Sequence, residues 1–207
     1  MMILNNTPVW LVAVQMLVLT VNQLASAFAQ EQGKLETRPD RQRQVEMIDG
    51  QAIDLRSTKF KGTIVVFIST DCPIANSYQP LLEQFRGEWS QRELQMVMIH
   101  GNPEVNIDHA KQHAKEYGIH WSVAIDPQQR IAKSLQAKNI PEAFVLDASG
   151  SVVYRGRIDD QYSALGKKRP EPTSRDLKDA VENLLAGKPV AFRETKAVGC
   201  VIRYANR

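Results

Sequence analysis

Short apolar runs alternate with helical periodicities along most of the chain. Residues 63–68 form a β-branched, continuously apolar run, which is typical of a strand buried on both faces. In residues 75–90, apolar side chains recur at steps of three and four positions, as the buried face of a helix requires. The pattern therefore predicts a central strand that leads directly into an amphipathic helix.

The same criteria place further elements on both sides of this pair. Strands are predicted at residues 94–99, 121–125, 143–146 and 152–157, and helices at residues 107–117, 128–135 and 174–186. A small hairpin is predicted within residues 45–55, around Asp49-Gly50, and Thr173 and Asp176 have the spacing of a capping box. Strands that alternate with helices and end in a hairpin and a helix predict an open α/β sheet.

The first 29 residues have the composition of an export signal. They carry no charged side chain, and residues 9–21 are apolar with only two polar interruptions. An Ala-Phe-Ala run ending at residue 29 matches the small-x-small pattern that precedes signal cleavage, which predicts a signal peptide at residues 1–29. The alternative is an uncleaved anchor over residues 7–29. Both predict an exported, periplasmic or extracellular domain, and contact with a membrane is expected only for the uncleaved form.

Composition divides the rest of the chain into three parts. Residues 30–44 are polar, mixed in charge and without an apolar period, which predicts a tether. Residues 45–190 form the predicted domain, and residues 191–207 form a tail that carries Cys200. Within the domain, residues 159–173 are predicted to be a polar loop, long enough to lie over a functional site. The 207 residues, of which 43% are hydrophobic, are sufficient for one good core.

Charge and cysteine content exclude several classes of function. The formal net charge of +3 is small, and no stripe of Lys and Arg alternates with aromatic residues, so nucleic acid is not a predicted partner. The two cysteines, Cys72 and Cys200, exclude a disulfide-stapled miniprotein and a four-cysteine zinc or iron-sulfur site. The chain can form at most one disulfide, in a compartment where disulfides persist. No cofactor is predicted.

Cys72 has the position expected of a reactive thiol. It lies where the predicted central strand ends and a helix begins, so the unpaired N–H groups of the first helical turn stabilise its thiolate. Pro73 removes one of these donors, and the neighbouring Asp71 carboxylate disfavours a second negative charge. We expect the Cys72 thiolate to act as a nucleophile within reach of an incoming partner.

Several motifs together resemble a known group of proteins. Cys72 is followed about seventy residues later by Ile140-Pro141, just ahead of a strand–hairpin–strand pattern. This arrangement resembles the thioredoxin fold. The early Asp-Cys-Pro-Ile-Ala-Asn-Ser-Tyr, the later Tyr-Arg-Gly-Arg-Ile-Asp-Asp and the late Gly-Cys resemble exported bacterial redoxin proteins of the AhpC/TSA, peroxiredoxin-related group.

The resemblance covers roughly residues 45–190 and carries structural expectations. It implies a thioredoxin-like α/β fold, with a central mixed sheet flanked by helices and an extra strand–helix insertion between residues 100 and 139. It also implies a cis peptide bond between Ile140 and Pro141, in a loop that lies beside Cys72 and offers backbone groups to an incoming chain. Glu142, which adjoins this loop, is interpreted either as a proton relay for Cys72 or as a solvated surface carboxylate.

The sequence departs from the family patterns at two positions near Cys72. Ala75 stands where a Cys-x-x-Cys motif has its second cysteine, so a local disulfide is impossible, and Val65 stands where a peroxiredoxin has proline. A late resolving cysteine is a feature of two-cysteine peroxiredoxins. The resemblance therefore makes Cys200 a candidate resolving cysteine, and the alternative is that Cys200 is structural or unpaired.

We predict an exported thiol-disulfide oxidoreductase that acts through the single active-site residue Cys72. Its intermediate would be resolved by Cys200, by a partner's thiol or by a small thiol, so the predicted partners are protein or small-molecule thiols and disulfides. One alternative is a peroxiredoxin-like peroxidase acting on hydroperoxides, in which Arg157 would polarise the peroxide. A second alternative is a copper-binding module without turnover, with Cys72, Asp71 and a histidine as ligands.

The histidines offer a weaker signal. His109 and His113 are four residues apart on a predicted helix, at a spacing that can bind a metal. They are predicted on a solvent-facing flank with no third ligand nearby, so no metal site is predicted. His100 and His120 lie near strand ends, where structural histidines are expected.

Overall fold

The computed structural model describes residues 43–56 and 58–205. The predicted signal peptide at residues 1–29 and nearly all of the predicted tether at residues 30–44 lie outside the described residues. Within the described ranges, no helix has the length and apolar character needed to cross a membrane.

The described part of the chain contains eleven strands and five helices. The strands are β1 (Gln44–Met47), β2 (Ala52–Asp54), β3 (Gly62–Ile68), β4 (Leu94–His100), β5 (Ser122–Ile125), β6 (Asn139–Ile140), β7 (Glu142–Asp147), β8 (Val152–Gly156), β9 (Tyr162–Ala164), β10 (Lys167–Lys168) and β11 (Cys200–Val201). The helices are α1 (Pro73–Ser77), α2 (Gln79–Trp89), α3 (Ile107–Glu116), α4 (Arg130–Leu135) and α5 (Asp176–Leu185).

Seven strands form one mixed sheet in the order β2-β1-β5-β4-β3-β7-β8. The β3–β4 and β4–β5 pairs are parallel, and the other four pairs of the sheet are antiparallel. The predicted hairpin in residues 45–55 is present as β1 and β2, and the predicted insertion between residues 100 and 139 is present as α3, β5 and α4. The predicted α/β class with a central mixed sheet is therefore confirmed.

The core is centred on β3. All seven of its residues are buried, because it lies between β4 and β7 and its side chains pack on both faces. Phe67 packs edge-to-face against Phe144 of β7, with ring centroids 5.8 Å apart. The predicted apolar stripe of α2 is also buried, and Trp121 donates from its indole N–H to the Leu82 carbonyl at 3.0 Å. A rigid sheet and helix thus flank the turn that carries Cys72.

Helix α5 packs against β7 and β8, and it lies beside α2. The Lys178 ammonium lies 2.6 Å from the Glu88 carboxylate and above the ring of Phe85. The predicted capping box at Thr173 and Asp176 is wrong, because Thr173 donates both its backbone N–H and its hydroxyl to Asp160. The residue before the helix makes no side-chain capping hydrogen bond.

The segment predicted as a polar loop, residues 159–173, contains a small element that was not predicted. Strands β9 and β10 pair within this segment and form a short hairpin. Its base is closed by Asp160, whose carboxylate accepts hydrogen bonds from Thr173 and Ser174, and these bonds lower the pKa of Asp160 to about 2. The hairpin contacts α1, since the Tyr162 hydroxyl lies 2.8 Å from the hydroxyl of Ser77.

The C-terminal tail first runs along β8, the last strand of the sheet. Glu194 forms a parallel bridge with Arg155. Arg155 donates its backbone N–H to the Arg193 carbonyl at 2.9 Å, and the Thr195 N–H donates to the Arg155 carbonyl at 3.0 Å. The tail is therefore already attached to the sheet before it reaches Cys200.

Packing at the start of β3 predicts a specific loss of stability. A Cβ at Gly62 would lie 2.5 Å from Leu184 of α5 and 2.7 Å from the backbone carbonyl of Leu146. Gly62→Ala is expected to lower the free energy of unfolding by about 1–3 kcal/mol, measured by urea denaturation. Gly87→Ala is the matched control, because nothing lies within 4 Å of its added Cβ. The control is expected to raise stability by about 0.5–1 kcal/mol, and equal effects at both positions would contradict this packing.

Candidate active site

The turn between β3 and α1 places Cys72 at the start of the helix. Cys72 has an extended backbone conformation, and its carbonyl accepts the first helical hydrogen bond from the Asn76 N–H at 3.0 Å. Pro73 is the first helical residue, where a missing N–H leaves no intrahelical bond unmade. The strand-to-helix position expected for Cys72 is thus the position that it has.

The loop between β6 and β7 lies directly against the Cys72 sulfur. The Ile140–Pro141 peptide bond is cis. The Ile140 carbonyl oxygen lies 3.0 Å from the Cys72 Sγ and accepts a hydrogen bond from that thiol. The structure therefore brings together three of the residues predicted for the site: Cys72, Ile140 and Pro141.

Cys200 reaches the same place by backbone pairing. Strand β11 is antiparallel to β6, with Cys200 opposite Ile140 and Val201 opposite Asn139. The Cys200 Sγ lies 2.8 Å from the Cys72 Sγ, although the two residues are 128 positions apart in the chain. Both cysteines are free thiols in this structure. The two sulfurs are thus close neighbours in one site.

The two thiols differ in exposure. Cys200 is an exposed residue, whereas Cys72 is only 1% exposed. The expectation that Cys72 lies within direct reach of an incoming partner is therefore wrong. Its sulfur is buried because it packs against the Ile140 carbonyl and the Cys200 thiol.

The site also affects the protonation of Cys200. Partial burial raises the pKa of the Cys200 thiol, and its hydrogen bond to the Cys72 sulfur and the nearby Asp71 carboxylate raise it further, to about 11. Cys200 consequently keeps its proton at neutral pH and donates it toward the Cys72 sulfur.

Gly199 allows the tail to approach the cis-proline loop. A Cβ at this position would lie 2.0 Å from the Ile140 carbonyl oxygen and 3.0 Å from the Pro141 nitrogen. No side chain can be accommodated at these distances without a shift of the backbone. The Gly-Cys pair near the end of the sequence is the signal of this contact, and the sequence alone does not show what the glycine approaches.

Residues after Cys200 hold the tail in place. The Ile202 N–H donates to the Lys138 carbonyl at 2.9 Å, and the Ile202 side chain is buried. The Gln129 side chain is 1% exposed, and it donates to the Arg203 carbonyl at 2.9 Å and accepts from the Ala205 N–H at 2.8 Å. These contacts were not predicted, because nothing in the sequence pattern relates Gln129 to the tail.

Tyr204 adds a further anchor to the same segment. Its hydroxyl lies 3.0 Å from the Ala132 carbonyl and 2.5 Å from the Ala137 carbonyl. The Lys133 ammonium lies over the Tyr204 ring. The tail is therefore held on both sides of Cys200, by Gly199 before it and by residues 202–205 after it.

Glu142 binds backbone groups next to the cis-proline loop. It is buried, so the prediction of a solvated surface carboxylate is wrong. Its Oε2 accepts hydrogen bonds from the backbone N–H groups of Lys138 and Asn139, at 2.5 and 3.0 Å. These bonds go to backbone groups rather than to either sulfur. Glu142 therefore fixes β6, the strand against which Cys200 is positioned.

The prediction that His113 faces solvent is also wrong. His113 is 2% exposed, and its Nε2 lies 2.9 Å from the Asn76 Oδ1, while His109 is exposed. Asn76 in turn donates from Nδ2 to the Thr70 carbonyl, just before Cys72. The buried ring of His100 lies 5.1 Å from the His113 ring. A histidine pair thus lies behind the turn that carries Cys72.

A cleft of about 430 Å³ opens beside this turn. It is lined by Thr70, Asp71, Asn102, Glu104, Val105, His109, Gln112, His113, Glu116 and Tyr117. Among the described residues, no group of three or more His, Cys, Asp or Glu side chains is arranged to hold a metal ion.

Arg157 donates to Asp176 and Ser174 rather than to either cysteine.

Solved structures resemble this chain over most of its length. A hypothetical protein of Sinorhizobium meliloti matches with a TM-score of 0.69 and 26% identity, over 79% of this chain and 91% of that protein. A candidate thiol:disulfide interchange protein, DsbE, of Chlorobium tepidum matches with a TM-score of 0.55 and 16% identity, over 69% of this chain and 92% of that protein. The fold is thioredoxin-like.

The AhpC/TSA family model matches residues 36–155, and the chain belongs to that family. Thiol-disulfide oxidoreductase ResA of Halalkalibacterium halodurans is 23% identical over 110 residues, which are 53% of this chain and 61% of ResA. The chain thus spans about three-fifths of the length of this curated relative.

The proximity of the two sulfurs makes the protonation of Cys200 dependent on Cys72. Partial burial and contact with the Cys72 sulfur both raise the pKa of Cys200, and Cys72→Ser removes only the second, so the variant is expected to lower that pKa from about 11. The pH dependence of Cys200 alkylation by iodoacetamide measures the shift. An unchanged profile in Cys72→Ser would contradict the coupling.

Burial of His100 predicts a loss of stability in acid. Burial lowers the pKa of His100 to about 3, whereas an unfolded chain binds a proton at this residue near pH 6.5. The free energy of unfolding therefore contains the full contribution of neutral His100 above pH ~6.5, and this contribution is lost progressively as the pH falls toward 3. His100→Met is expected to reduce the loss of unfolding free energy between pH ~6.5 and ~4 by about 2–3 kcal/mol.

Urea denaturation at several pH values tests the role of His100. The exposed His109 provides the matched control, and His109→Met is expected to leave the pH dependence of unfolding unchanged. An equal acid sensitivity in His100→Met and in the unmodified protein would contradict the assignment.

Proposed function

We propose that this protein is a thiol-disulfide oxidoreductase that cycles between a Cys72, Cys200 dithiol and a Cys72–Cys200 disulfide. The observation that carries the proposal is the pairing of β11 with β6, which brings the two sulfurs to 2.8 Å. The proposed active unit is a pair of cysteines that are far apart in the chain, in which Cys200 is the resolving cysteine that the resemblance offers as one alternative.

The cycle transfers two electrons and two protons. In one direction, the dithiol reduces a substrate disulfide to two thiols, and a disulfide forms between Cys72 and Cys200. In the other direction, a partner dithiol is oxidised to a disulfide and the protein returns to its dithiol form. The direction that operates is set by the reduction potentials of the protein and its partner.

Two further observations support this activity. The chain belongs to the AhpC/TSA family, and the relative ResA, which matches 53% of this chain, is named a thiol-disulfide oxidoreductase. The pairing of β11 with β6 and the hydrogen bond from Cys72 to the Ile140 carbonyl hold the two sulfurs together. Thiols and disulfides are accordingly the proposed substrates.

We also propose that the protein is exported. The proposal is supported by the uncharged, apolar sequence of residues 1–29 and by a cysteine pair suited to a compartment in which disulfides persist. Fractionation of the native cells into envelope and cytoplasm, followed by N-terminal sequencing of the protein from each fraction, tests both points. A chain that begins near residue 30 supports cleavage, and a chain that begins at Met1 in the cytoplasmic fraction overturns the proposal.

Activity should require both cysteines. Incubation of the reduced protein with glutathione disulfide is expected to give an intramolecular disulfide, seen as the loss of two hydrogens in the intact mass. Turnover of a protein disulfide in the presence of a reductant is expected to fall at least ~100-fold in Cys72→Ser and in Cys200→Ser, since each removes half of the pair. Ser151→Ala, at the far end of the sheet, is the control.

The same assay distinguishes the peroxidase alternative. Consumption of a hydroperoxide with thiol reductant, but without turnover of any disulfide, would replace the proposed activity with peroxide reduction. Full turnover of disulfides by Cys200→Ser would instead show that Cys72 acts without its neighbour.

A further inference from the structure

The proposed cycle requires that a partner reach one of the two sulfurs, and the structure distinguishes them. Cys72 is 1% exposed, with its sulfur packed between the Ile140 carbonyl and the Cys200 thiol. Cys200 is exposed at the surface of the same site. A partner thus meets the Cys200 sulfur first.

The tail also occupies the edge on which an extended partner could pair. Strand β6 offers backbone groups beside Cys72, and β11 already binds them as a short added strand. A polypeptide can pair with β6 only if β11 leaves. Thiol-disulfide exchange with an extended polypeptide on β6 would therefore require β11 to separate from β6.

The anchors of the tail oppose its departure. Lifting residues 199–205 would expose the buried Ile202 side chain and break the hydrogen bond from its N–H to Lys138. It would also break the hydrogen bonds of Gln129 with the tail backbone, and the hydrogen bond from the Tyr204 hydroxyl to the Ala137 carbonyl. Each of these losses leaves apolar surface or a polar group without its contact, so the closed arrangement is favoured.

The geometry of exchange adds an independent argument. A thiolate attacks a disulfide sulfur from the side opposite the sulfur that leaves. Attack on Cys200 therefore comes from the side of its sulfur turned away from Cys72, and Cys72 leaves; Cys200 is an exposed residue. Attack on Cys72 would have to come from the side turned away from Cys200, where the sulfur is buried.

We propose, on the basis of the function given above, that partners exchange at the Cys200 sulfur while the tail stays paired with β6. Cys200 is then the exchange cysteine, and Cys72 is the internal cysteine that leaves and returns. The partner is a dithiol, or a pair of small thiols, that approaches the exposed face of β11 without adding a strand to β6.

The electrons and protons balance in two steps. The first partner thiolate bonds to the Cys200 Sγ, the Cys72–Cys200 bond breaks, and the electron pair goes to the Cys72 Sγ, which then takes a proton. The second partner thiolate bonds to the partner sulfur of this mixed disulfide and releases Cys200, which takes a proton from solvent. The partner dithiol is oxidised to a disulfide, and the protein disulfide is reduced to two thiols.

Mapping the first mixed disulfide tests the proposal. The oxidised full-length protein is mixed with limiting reduced glutathione, quenched in acid within milliseconds, labelled with N-ethylmaleimide and digested. Glutathione is expected on Cys200 and N-ethylmaleimide on Cys72, with at least a tenfold excess over the reverse pattern. Glutathione mainly on Cys72 would overturn the proposal and show that the tail opens.

Loosening the tail gives a second test. Tyr204→Phe removes the hydroxyl hydrogen bonds of the anchor, and Gly199→Ala forces the tail away from Ile140. Ser151→Ala, at the far end of the sheet, is again the control. Reduction of the disulfide by glutathione is expected at an unchanged or lower rate in both tail variants. A rate above that of the control would show that access is limited by tail opening, and would overturn the proposal.

Failure of the proposed function looks different in the same experiments. If incubation with glutathione disulfide gives no disulfide between Cys72 and Cys200, the paired cycle itself is wrong. If the disulfide forms and glutathione is found on Cys72, the cycle stands and only the assignment of the exchange cysteine is wrong.

Discussion

The antiparallel contact between β6 and β11 is the interaction on which the site depends. Two residues on each strand bring Cys200 opposite Ile140, and so bring together sulfurs that are 128 positions apart. Such a short contact is stable only because both strands are fixed by other means. Glu142 binds the backbone of β6 from beneath, and Gln129 holds the tail beyond β11. Backbone geometry, rather than a local sequence motif, therefore creates the cysteine pair.

The opposite side of the Cys72 turn is supported by a buried polar group of residues. His113 binds Asn76, and Asn76 binds the Thr70 carbonyl, so α3 contacts the turn through two side chains. His100 ends β4 beside the last residue of β3 and packs against His113. Two neutral imidazoles thus occupy the space behind the turn, and their protonation would introduce charge close to the site.

The sequence predicts the elements that depend on long apolar patterns and misses those that depend on single contacts. The run that became β3 and the helical period that became α2 are recognisable because many residues share each pattern. His113 is predicted on a solvent-facing flank of its helix, because periodicity cannot show that Asn76 and His100 contact His113 from other elements. The pairing of β11 involves two residues and carries no periodic signal, so only its cysteine could be recognised in advance.

The course of the tail along β8 has a consequence for association between molecules. An outermost strand exposes a row of unpaired backbone groups, which can template edge-to-edge aggregation. Residues 193–195 satisfy part of that row, through the Arg155 N–H and carbonyl. The segment that delivers Cys200 to the site therefore also covers part of the outer edge of the sheet, so the position of Cys200 and the protection of this edge depend on one stretch of chain.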